Sequence, residues 1–474
     1  MNTPAPPSSL TILGSGPAGY PAAFAAADMG LEVTLIDSSP LLGGACLHRG
    51  CIPSKSLLHA ARLLSDARNA SAFGLRFEEP TVDLDALREW MLSVTTGLAG
   101  GIAQMAKRLR VKVVQAEAAF ASPTELRLIP SDLESPRIHA FETLLLAAGS
   151  SPLPPPDFST KMPHIWNSTD ALAIAEIPAS LLVVGGGHIG LELGTVYAAL
   201  GSRVTLVEMT NGLLPGADRD LVAQMAKRLR TVFEAIHLHT KVADLSIEGD
   251  GLRAVLQDIR NGETQTKLFS KALVAIGRRP ATERLRLDKA GIGLTDRGFV
   301  ASDADGRTAN PTVFAAGDIA GNPMLAHKAI HEAKAFAARF LGQGSRGLSP
   351  YIPAVAFTDP EVAWCGLTEA EAKAKAIPYT TAKCHWAANG RSPTLGRTDG
   401  LTKILSDPET GALLGVGITG NGASELIAEA ALALETKTSL QDLTHTIHPH
   451  PTLSETLLDA AETALANRRR AKGK

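Results

Sequence analysis

The chain has few cysteines, few aromatic residues and no long apolar run. Its 474 residues include four cysteines, and aromatic side chains make up 4%. So few cysteines exclude a disulfide-stapled secreted domain and predict a reducing compartment, which we take to be the cytoplasm. The longest apolar runs fall short of the ~18 residues that a spanning helix requires, so we expect no membrane segment. The N-terminus has no basic stretch and is not predicted to be a signal peptide.

The chain also lacks an excess of charge of either sign. It carries 46 Lys and Arg residues against 48 Asp and Glu residues, which gives a net charge of −2. This balance argues against a protein that coats nucleic acid or an anionic membrane surface. With 45% hydrophobic residues and 43 glycines, the chain is predicted to be globular, with an aliphatic core and many tight turns.

What the sequence does contain is an internal repeat of the pattern Gly-x-Gly-x-x-Gly, each copy lying between a strand-like and a helical segment. The glycines are Gly14, Gly16 and Gly19 in the first copy and Gly185, Gly187 and Gly190 in the second. The acid that closes the next strand-like segment, Asp37 or Glu208, follows the third glycine by the same 18 positions. A single copy is a weak signal, whereas two copies in one register strongly predict two dinucleotide-binding units.

Each residue type in the repeat suits a dinucleotide. The first glycine permits a tight turn, the second lets the backbone approach a pyrophosphate, and the third lets the helix pack closely on the strand. Amide groups at the helix N-terminus then face the phosphates, and the acid accepts a hydrogen bond from a ribose hydroxyl. A glycine-rich turn in an ordinary βαβ unit would explain one copy and explains two poorly.

Cys46 and Cys51, with four residues between them, admit three kinds of site. A zinc site needs at least two further ligands, and His48 is the one candidate nearby, so no metal site is predicted. An inert buried pair is disfavoured because glycines and polar residues surround both cysteines. A redox-active pair is favoured, because a predicted helix with Pro53 in its first turn would lower the pKa of a thiol at its N-terminus.

Lys55 follows Cys51 by four positions, so on a helix it shares that cysteine's face. A cation there would stabilise a thiolate and could reach a flavin. The spacing alone supports an exposed surface lysine about equally well.

The chain resembles the flavin- and disulfide-dependent pyridine nucleotide oxidoreductases over essentially its whole length. The resemblance rests on the segments GSGPAGY, GGACLHRGCIPSK, GGGHIGLELG, AAGDIAGNPMLAHKA and HPHPTLSE. Within the family it points to the branch that oxidises dihydrolipoamide, because the glutathione-reductase branch has a different cysteine motif. The further cysteine pair of mercuric reductases has no match after Cys384.

The resemblance implies an α/β fold with two nested Rossmann-like dinucleotide-binding domains and a C-terminal α+β dimerisation domain. The expected domains are an FAD-binding domain at 1–150, an NAD-binding domain at 151–280, a central domain at 281–350 that completes the FAD site, and an interface domain at 351–474.

The resemblance also implies an activity, the oxidation of dihydrolipoamide to lipoamide with FAD and NAD as cofactors. The substrate thiolate would attack Cys46, and Cys51 would pass the electrons to the flavin, from which NAD+ receives them. His450 would be the general base, oriented by Glu455. Judged from the residues alone, His450 lies in a turn-rich loop, and Glu455 follows Thr452 as the last residue of a capping box.

Supporting contacts and partners are implied as well. The further cofactor-binding positions are Gly44, Lys55, Ala116, Gly149, Asp318 and Ala326 toward FAD, and Glu192, Val242 and Gly277 toward NAD. Glu192 is expected to pair with Lys55. The implied partners are lipoyl domains of acyltransferase components or the glycine-cleavage H protein, and a second copy of the chain in a homodimer. Two alternatives stay open: a reductase for another small disulfide, and a non-catalytic flavoprotein that binds lipoyl domains.

Overall fold

The computed structural model describes residues 8–130, 135–154, 163–342 and 347–472. The start of the N-terminal segment considered above, residues 1–7, lies outside the described residues.

The strands and helices follow in chain order. The strands are β1 (Ser9–Leu13), β2 (Glu32–Asp37), β3 (Lys112–Ser122), β4 (Glu125–Pro130), β5 (Arg137–Ala140), β6 (Leu144–Leu146), β7 (Ser150–Pro152), β8 (Ile165–Trp166), β9 (Ser180–Val184), β10 (Arg203–Val207), β11 (Ala235–His237), β12 (Thr240–Glu248), β13 (Gly251–Asp258), β14 (Thr264–Phe269), β15 (Lys271–Val274), β16 (Arg278–Pro280), β17 (Val313–Ala315), β18 (Ala354–Ala356), β19 (Glu361–Gly366), β20 (Thr380–His385), β21 (Leu401–Ser406) and β22 (Leu413–Gly420). The helices are α1 (Gly19–Asp28), α2 (Gly44–Arg49), α3 (Cys51–Asn69), α4 (Leu84–Arg108), α5 (Ser168–Leu172), α6 (His188–Leu200), α7 (Arg219–Val232), α8 (Ala326–Phe340), α9 (Glu369–Ala374), α10 (Arg391–Thr394), α11 (Ala423–Glu435), α12 (Leu440–His445) and α13 (Glu455–Lys472). Short 3₁₀ helices lie at Ala70–Phe73, Leu287–Ala290, Gly317–Ile319 and Trp386–Ala388.

The chain divides into two compact units. The first comprises Met1–Ser54, Asp83–Leu153 and Gly277–Leu348, and the second comprises Lys55–Val82, Pro154–Ile276 and Ser349–Lys474. The division falls within α3, so its cysteine end belongs to the first unit. The four domains expected from the sequence, with their three boundaries, stay a prediction.

The first unit is built on a sheet with the strand order β17-β6-β1-β2-β3-β4-β5. Its first five strands in this order, from β17 to β3, are parallel, as the first glycine repeat predicted. Strand β6 is buried on both faces: Leu145 packs among the apolar residues of α1 and α8, while Leu144 and Leu146 pack on the opposite side. Burial on both faces is typical of parallel sheets.

The second unit holds the second glycine repeat and the C-terminal sheet. Its parallel sheet has the order β11-β10-β9-β15-β8, beside an antiparallel hairpin sheet of β12, β13 and β14. The antiparallel C-terminal sheet has the order β18-β19-β22-β21-β20, and α11 and α13 bury their apolar faces against it. The expected α/β class with a C-terminal α+β domain is confirmed.

The segment by which the chain leaves the first unit pairs with the segment by which it returns. Strand β7 lies antiparallel to β16, with Ser150 opposite Pro280 and Pro152 opposite Arg278. The amide of Leu153 also donates a hydrogen bond to the carbonyl oxygen of Gly277. This short ribbon closes the first unit where the chain leaves it and where it returns.

Candidate active site

The first glycine loop requires glycine at two of its three positions for reasons internal to the chain. Gly14 has a φ of +107°, and a Cβ there would lie 2.3 Å from the carbonyl oxygen of Ala147. A Cβ at Gly19 would lie 1.7 Å from the carbonyl oxygen of Gly14, where the helix packs on the strand. A Cβ at Gly16 would make only an ordinary contact, 3.8 Å from the Cα of Gly44. Packing therefore explains the first and third glycines and leaves the second unexplained.

The second loop repeats this geometry. Gly185 has a φ of +109°, and a Cβ there would lie 2.5 Å from the carbonyl oxygen of Ala275. A Cβ at Gly190 would lie 2.1 Å from the carbonyl oxygen of Gly185. At Gly187 no atom of the described residues outside its local backbone lies within 4 Å of the position that a Cβ would occupy. The middle glycine keeps open a space that the protein does not fill, which fits the close approach of a pyrophosphate to the backbone.

The acids that follow the two loops brace them in the same way. Asp37 accepts hydrogen bonds from the amides of Ser15 and Ser39, at 2.6 and 2.8 Å. Glu208 accepts from the amides of Gly186 and Thr210, at 2.7 and 2.8 Å. Sequence analysis expected a ribose contact from these carboxylates and missed the bracing. Each carboxylate oxygen has a second lone pair, so the acids retain the capacity to accept from a ribose hydroxyl.

The two cysteines flank a tight turn at Gly50. Cys46 lies in α2 and Cys51 begins α3, and both are partly exposed. A Cβ at Gly50 would lie 3.0 Å from the carbonyl oxygen of Ala45 and 3.4 Å from the Cα of Cys46. The chain thus turns back on itself between the two cysteines so closely that glycine fits best.

The helix that carries Cys46 begins against the first glycine loop. The amide of Gly43 donates to the carbonyl oxygen of Ser15 at 3.0 Å, and Gly43 and Gly44 both have positive φ. A Cβ at Gly44 would lie 2.5 Å from the Cα of Gly16, so the two backbones touch. This contact places the cysteine turn directly beside the loop that suits the first dinucleotide.

In the second unit, α3 continues to Lys55, which pairs with Glu192 of α6. Lys55 Nζ lies 2.8 Å from Glu192 Oε2, and the carboxylate side chain is 4% exposed. The other oxygen of Glu192 accepts from the amide of Phe357 at 3.0 Å, and Lys55 Nζ lies 4.2 Å from the centre of the Phe357 ring. The expected ion pair is present. Phe357 was missed, because a single phenylalanine carries no sequence signal for such a contact.

Asp318 is held by two residues that sequence analysis also missed. The Ser150 hydroxyl donates to Asp318 Oδ2, and Arg278 donates from Nε to the same hydroxyl at 2.8 Å and from Nη2 to the Ser150 carbonyl oxygen at 2.6 Å. Burial lowers the pKa of Arg278, and the charges of Asp318 and Cys51 oppose that shift. The pairing of β7 with β16 brings these residues together. The hydrogen bond from Ser150 uses Asp318 Oδ2 and does not involve Oδ1.

His450 and Glu455 form the expected pair. His450 Nδ1 lies 2.8 Å from Glu455 Oε1, and the imidazole side chain is 75% exposed in the single chain. The other carboxylate oxygen accepts from the amide of Thr452 at 2.7 Å at the start of α13. This backbone bond, followed by the His450 contact, lowers the pKa of Glu455. The Glu455 carboxylate therefore accepts a hydrogen bond from a backbone amide at the start of α13 and also orients the imidazole of His450.

The other predicted cofactor positions are spread over both units. Ala116 is buried on β3, Ala326 is the first residue of α8, and Gly149 has a φ of +73° just before β7. Gly277, with a φ of +128°, begins the return segment of the first unit, whereas Val242 lies on β12 of the second.

Within the described residues, one group of acids comes close enough together to hold a cation: Asp218, Asp220 and Glu369. The ammonium of Lys403 lies 2.9 Å from Asp218 and 3.1 Å from Asp220 and also contacts Glu369. The Lys403 side chain is 1% exposed. A lysine therefore already supplies positive charge to these acids.

Residues 8–333 match the family described as pyridine nucleotide-disulphide oxidoreductase, and residues 352–461 match the dimerisation domain of the same family. The chain belongs to the pyridine nucleotide-disulphide oxidoreductase family. It carries both the part of that family that holds the glycine loops and the cysteine turn and the part through which its members dimerise.

Similar proteins within this oxidoreductase family span the same length. A dihydrolipoyl dehydrogenase from Vibrio cholerae is 42% identical over 453 residues, which cover 96% of this chain and 94% of that protein. The structure of LpdA from Mycobacterium tuberculosis aligns with a TM-score of 0.88 at 26% identity, covering 96% of this chain and 99% of that one. The HOCl-induced flavoprotein disulfide reductase RclA from Escherichia coli aligns with a TM-score of 0.85 at 26% identity, covering 96% and 99%. Among the described residues of this family member, every helix is too short or too polar to cross a membrane.

Proposed function

We propose that the chain is a dihydrolipoyl dehydrogenase, which oxidises dihydrolipoamide to lipoamide and reduces NAD+. The observation that carries the proposal is the cysteine turn built directly on a dinucleotide loop, with Gly44 packed against Gly16. Relatives of that name are 37–42% identical over 96% of the chain, whereas the RclA structure is 26% identical, which favours this reaction over that of another disulfide reductase.

Two cofactors fit the two loops. FAD would be held by the first loop, by Asp37 and Gly44, and by Ala116, Gly149, Asp318 and Ala326, with Lys55 beside it. NAD would be held by the second loop with Glu192, Glu208, Val242 and Gly277. When bound, FAD and NAD supply the chemistry that carries two electrons from the reduced cysteine pair to the nicotinamide.

The cysteines and the His–Glu pair perform the thiol chemistry. The neutral imidazole of His450 takes the proton of one substrate thiol, and the resulting thiolate attacks Cys46 Sγ, which breaks the Cys46–Cys51 bond. Cys51 leaves as a thiolate at the N-terminus of α3, whose dipole stabilises it. The second substrate thiol then attacks the first substrate sulfur, which breaks the mixed disulfide, and its proton passes to Cys46 Sγ as that sulfur leaves. Lipoamide leaves with its ring disulfide formed, and Cys46 is released as a thiol.

A direct assay tests the proposed reaction. The purified FAD-loaded protein should reduce NAD+ with free dihydrolipoamide at a catalytic efficiency well above that with glutathione disulfide and NADPH in the corresponding reductase assay. Equal or greater efficiency with glutathione disulfide would favour the small-disulfide reductase instead. Bound flavin without turnover on either substrate would favour the non-catalytic lipoyl-binding protein.

Lipoyl domains of an acyltransferase or the glycine-cleavage H protein are the proposed carriers of the substrate, and the cytoplasm is the proposed location.

We also propose that His450 serves the cysteines of a partner subunit. The imidazole is 75% exposed in the single chain, and it lies in the segment that matches the family's dimerisation domain. Mixed dimers test this arrangement, using one chain with Cys51→Ser and another with His450→Ala, each inactive alone. Because random mixing makes half of the dimers heterodimeric, about a quarter of all sites should recover if subunits share sites. A verified heterodimer without activity would show that each chain uses its own histidine.

A further inference from the structure

The segment that carries His450, residues 446–454 between α12 and α13, also carries a second histidine in a different environment. The side chain of His448 is 4% exposed, whereas that of His450 is 75% exposed. Sequence analysis assigned His448 no role, although both histidines belong to the same HPHP motif.

Both ring nitrogens of His448 face groups that accept hydrogen bonds. Nδ1 lies 3.0 Å from the carbonyl oxygen of Thr446, and Nε2 lies 2.9 Å from Glu429 Oε1 on α11. A carbonyl oxygen and an ionised carboxylate have no proton to donate, and a neutral imidazole has only one N–H. Both bonds form together when the ring carries two protons and therefore a positive charge. The Glu429 side chain is 36% exposed, so its carboxylate contacts water as well as His448.

We propose that His448 is a positively charged positioning residue that is paired with Glu429. The imidazolium attaches the loop of His450 to α11 and sets the charge that His450 experiences. The inference rests on the proposed function in taking His450 as the acid–base group of the reaction.

The charges around His448 come from several elements. Glu429 faces it from α11, and Glu455 at the start of α13 lies close enough that the charge of His448 helps to lower the pKa of that carboxyl. His445 and His450 lie on the same stretch of chain. Because His448 and Glu429 neutralise each other, removal of the imidazolium alone leaves Glu429 as an extra negative charge beside the loop. That charge favours the protonated form of His450.

The test measures protonation of His450 without turnover. Diethyl pyrocarbonate modifies neutral imidazole, so the rate of His450 modification in the FAD-loaded dimer, followed by peptide mass spectrometry across pH, gives the midpoint of its titration. His450→Ala corrects for modification elsewhere on the same peptide. With His448→Gln we expect the midpoint to rise by about half a pH unit, which slows modification about threefold on the acid side. The acid limb of kcat/KM for dihydrolipoamide should move with it.

Two further variants separate charge from packing. The double variant His448→Gln with Glu429→Gln removes both charges and keeps side chains that form hydrogen bonds, so the midpoint should return close to its original value. Glu429→Gln alone leaves the imidazolium unbalanced and should lower the midpoint, which gives a test even if His448→Gln does not fold. An unchanged midpoint in His448→Gln, a double variant shifted as far as the single one, or a midpoint that does not fall in Glu429→Gln would overturn the inference. Because this readout needs no turnover, inactivity toward dihydrolipoamide would overturn the proposed function alone.

Discussion

The first and second glycine loops place the same demands on the chain but differ in what lies against them. In both, the first and third glycines have backbone oxygen within about 2.5 Å of a built Cβ, and an acid braces the loop through two amides. In the first loop the middle glycine faces Gly44 at the start of the cysteine-bearing helix, whereas around Gly187 the described residues leave the space open. In the proposed function, one loop geometry therefore serves two purposes: it would cradle a phosphate in the second unit, and in the first it would also support the proposed redox turn.

Removing the redox turn from the first loop should have the largest effect. Cys51→Ser should reduce turnover at least about a thousandfold, because no internal disulfide remains to accept the substrate thiolate. Cys365→Ala is the matched control: Cys365 is buried on β19, and burial raises the pKa of its thiol to about 11, so it takes no part in exchange. Steady-state turnover with the flavin content measured in parallel distinguishes loss of chemistry from loss of cofactor.

A similar loss of activity in Cys365→Ala with its flavin retained would contradict the assignment of the redox role to the turn at Gly50.

In the second unit, the buried ammonium of Lys403 holds the start of helix α7 through Asp218 and Asp220. Removing this ammonium should destabilise the protein. Lys403→Met would leave Asp218, Asp220 and Glu369 without their buried cation, at a cost of about 3–5 kcal/mol. Hydrogen bonds from Lys383 and Lys403 hold the pKa of Asp220 below its usual range, and the bond from Lys403 does the same for Glu369, in both cases against the opposing effect of burial. Hydrogen bonds to Glu369 and Asp218 raise the pKa of Lys403, although burial lowers it.

Carboxyls with lowered pKa contribute stability that is present above their unfolded pKa of about 4 and is lost as pH falls through the folded value. The deficit of Lys403→Met should therefore be full at neutral pH and shrink below about pH 4. The midpoint of thermal unfolding at fixed protein concentration measures the deficit. Lys383→Met is the milder control, because among the described residues Lys383 forms an ion pair with Asp220 and with no second acid. A deficit that is as large well below pH 4 as it is at pH 7 would show that packing and not charge is responsible.

Adding a methyl group in the space beside each middle glycine should affect the two loops differently. Gly44→Ala puts a Cβ 2.5 Å from the Cα of Gly16 at a φ of +64°, and we expect a cost of about 2 kcal/mol with weaker retention of FAD. Gly187→Ala meets no described atom, so stability should stay within about 0.5 kcal/mol while the KM for NAD+ rises several-fold. The rate of flavin dissociation, the midpoint of thermal unfolding and the KM for NAD+ are measured for both variants. If Gly187→Ala destabilised the protein without changing the KM, the open space would not be a phosphate cradle.

The smallest effect is expected at the acid of the second loop. At the proposed NAD site, the carboxylate of Glu208 would repel a 2′-phosphate, so the enzyme should prefer NAD+ to NADP+. The two oxygens of Glu208 accept separately from the amides of Gly186 and Thr210, so Glu208→Gln keeps one acceptor oxygen and removes the charge. Loss of the charge should narrow the preference for NAD+ about tenfold, or about 1.4 kcal/mol. Adding Met209→Arg beside it should narrow the preference further. A native kcat/KM with NADP+ equal to that with NAD+ would contradict the role of Glu208.

Much of the candidate site could be predicted because its signals are local. The glycines of each loop and the acid 18 positions later lie within one strand–helix–strand unit, and the two cysteines flank a single turn. Lys55 with Glu192, and His450 with Glu455, were expected from the resemblance and are paired in the structure. The bracing by Asp37 and Glu208 was missed, because spacing shows where an acid lies and not which amides its oxygens reach.

The sequence by itself determined the parts of this protein whose geometry depends on neighbouring residues: both dinucleotide loops, the redox turn and the helix that begins at Cys51. The tertiary structure alone decided the contacts that join distant segments, such as Ser150 with Arg278 and Asp318, and Lys403 with its three acids. The physical reason is that a positive-φ glycine or a helix start is dictated by local sterics. A buried charge, in contrast, takes its partner from whichever strand or helix the fold brings beside it.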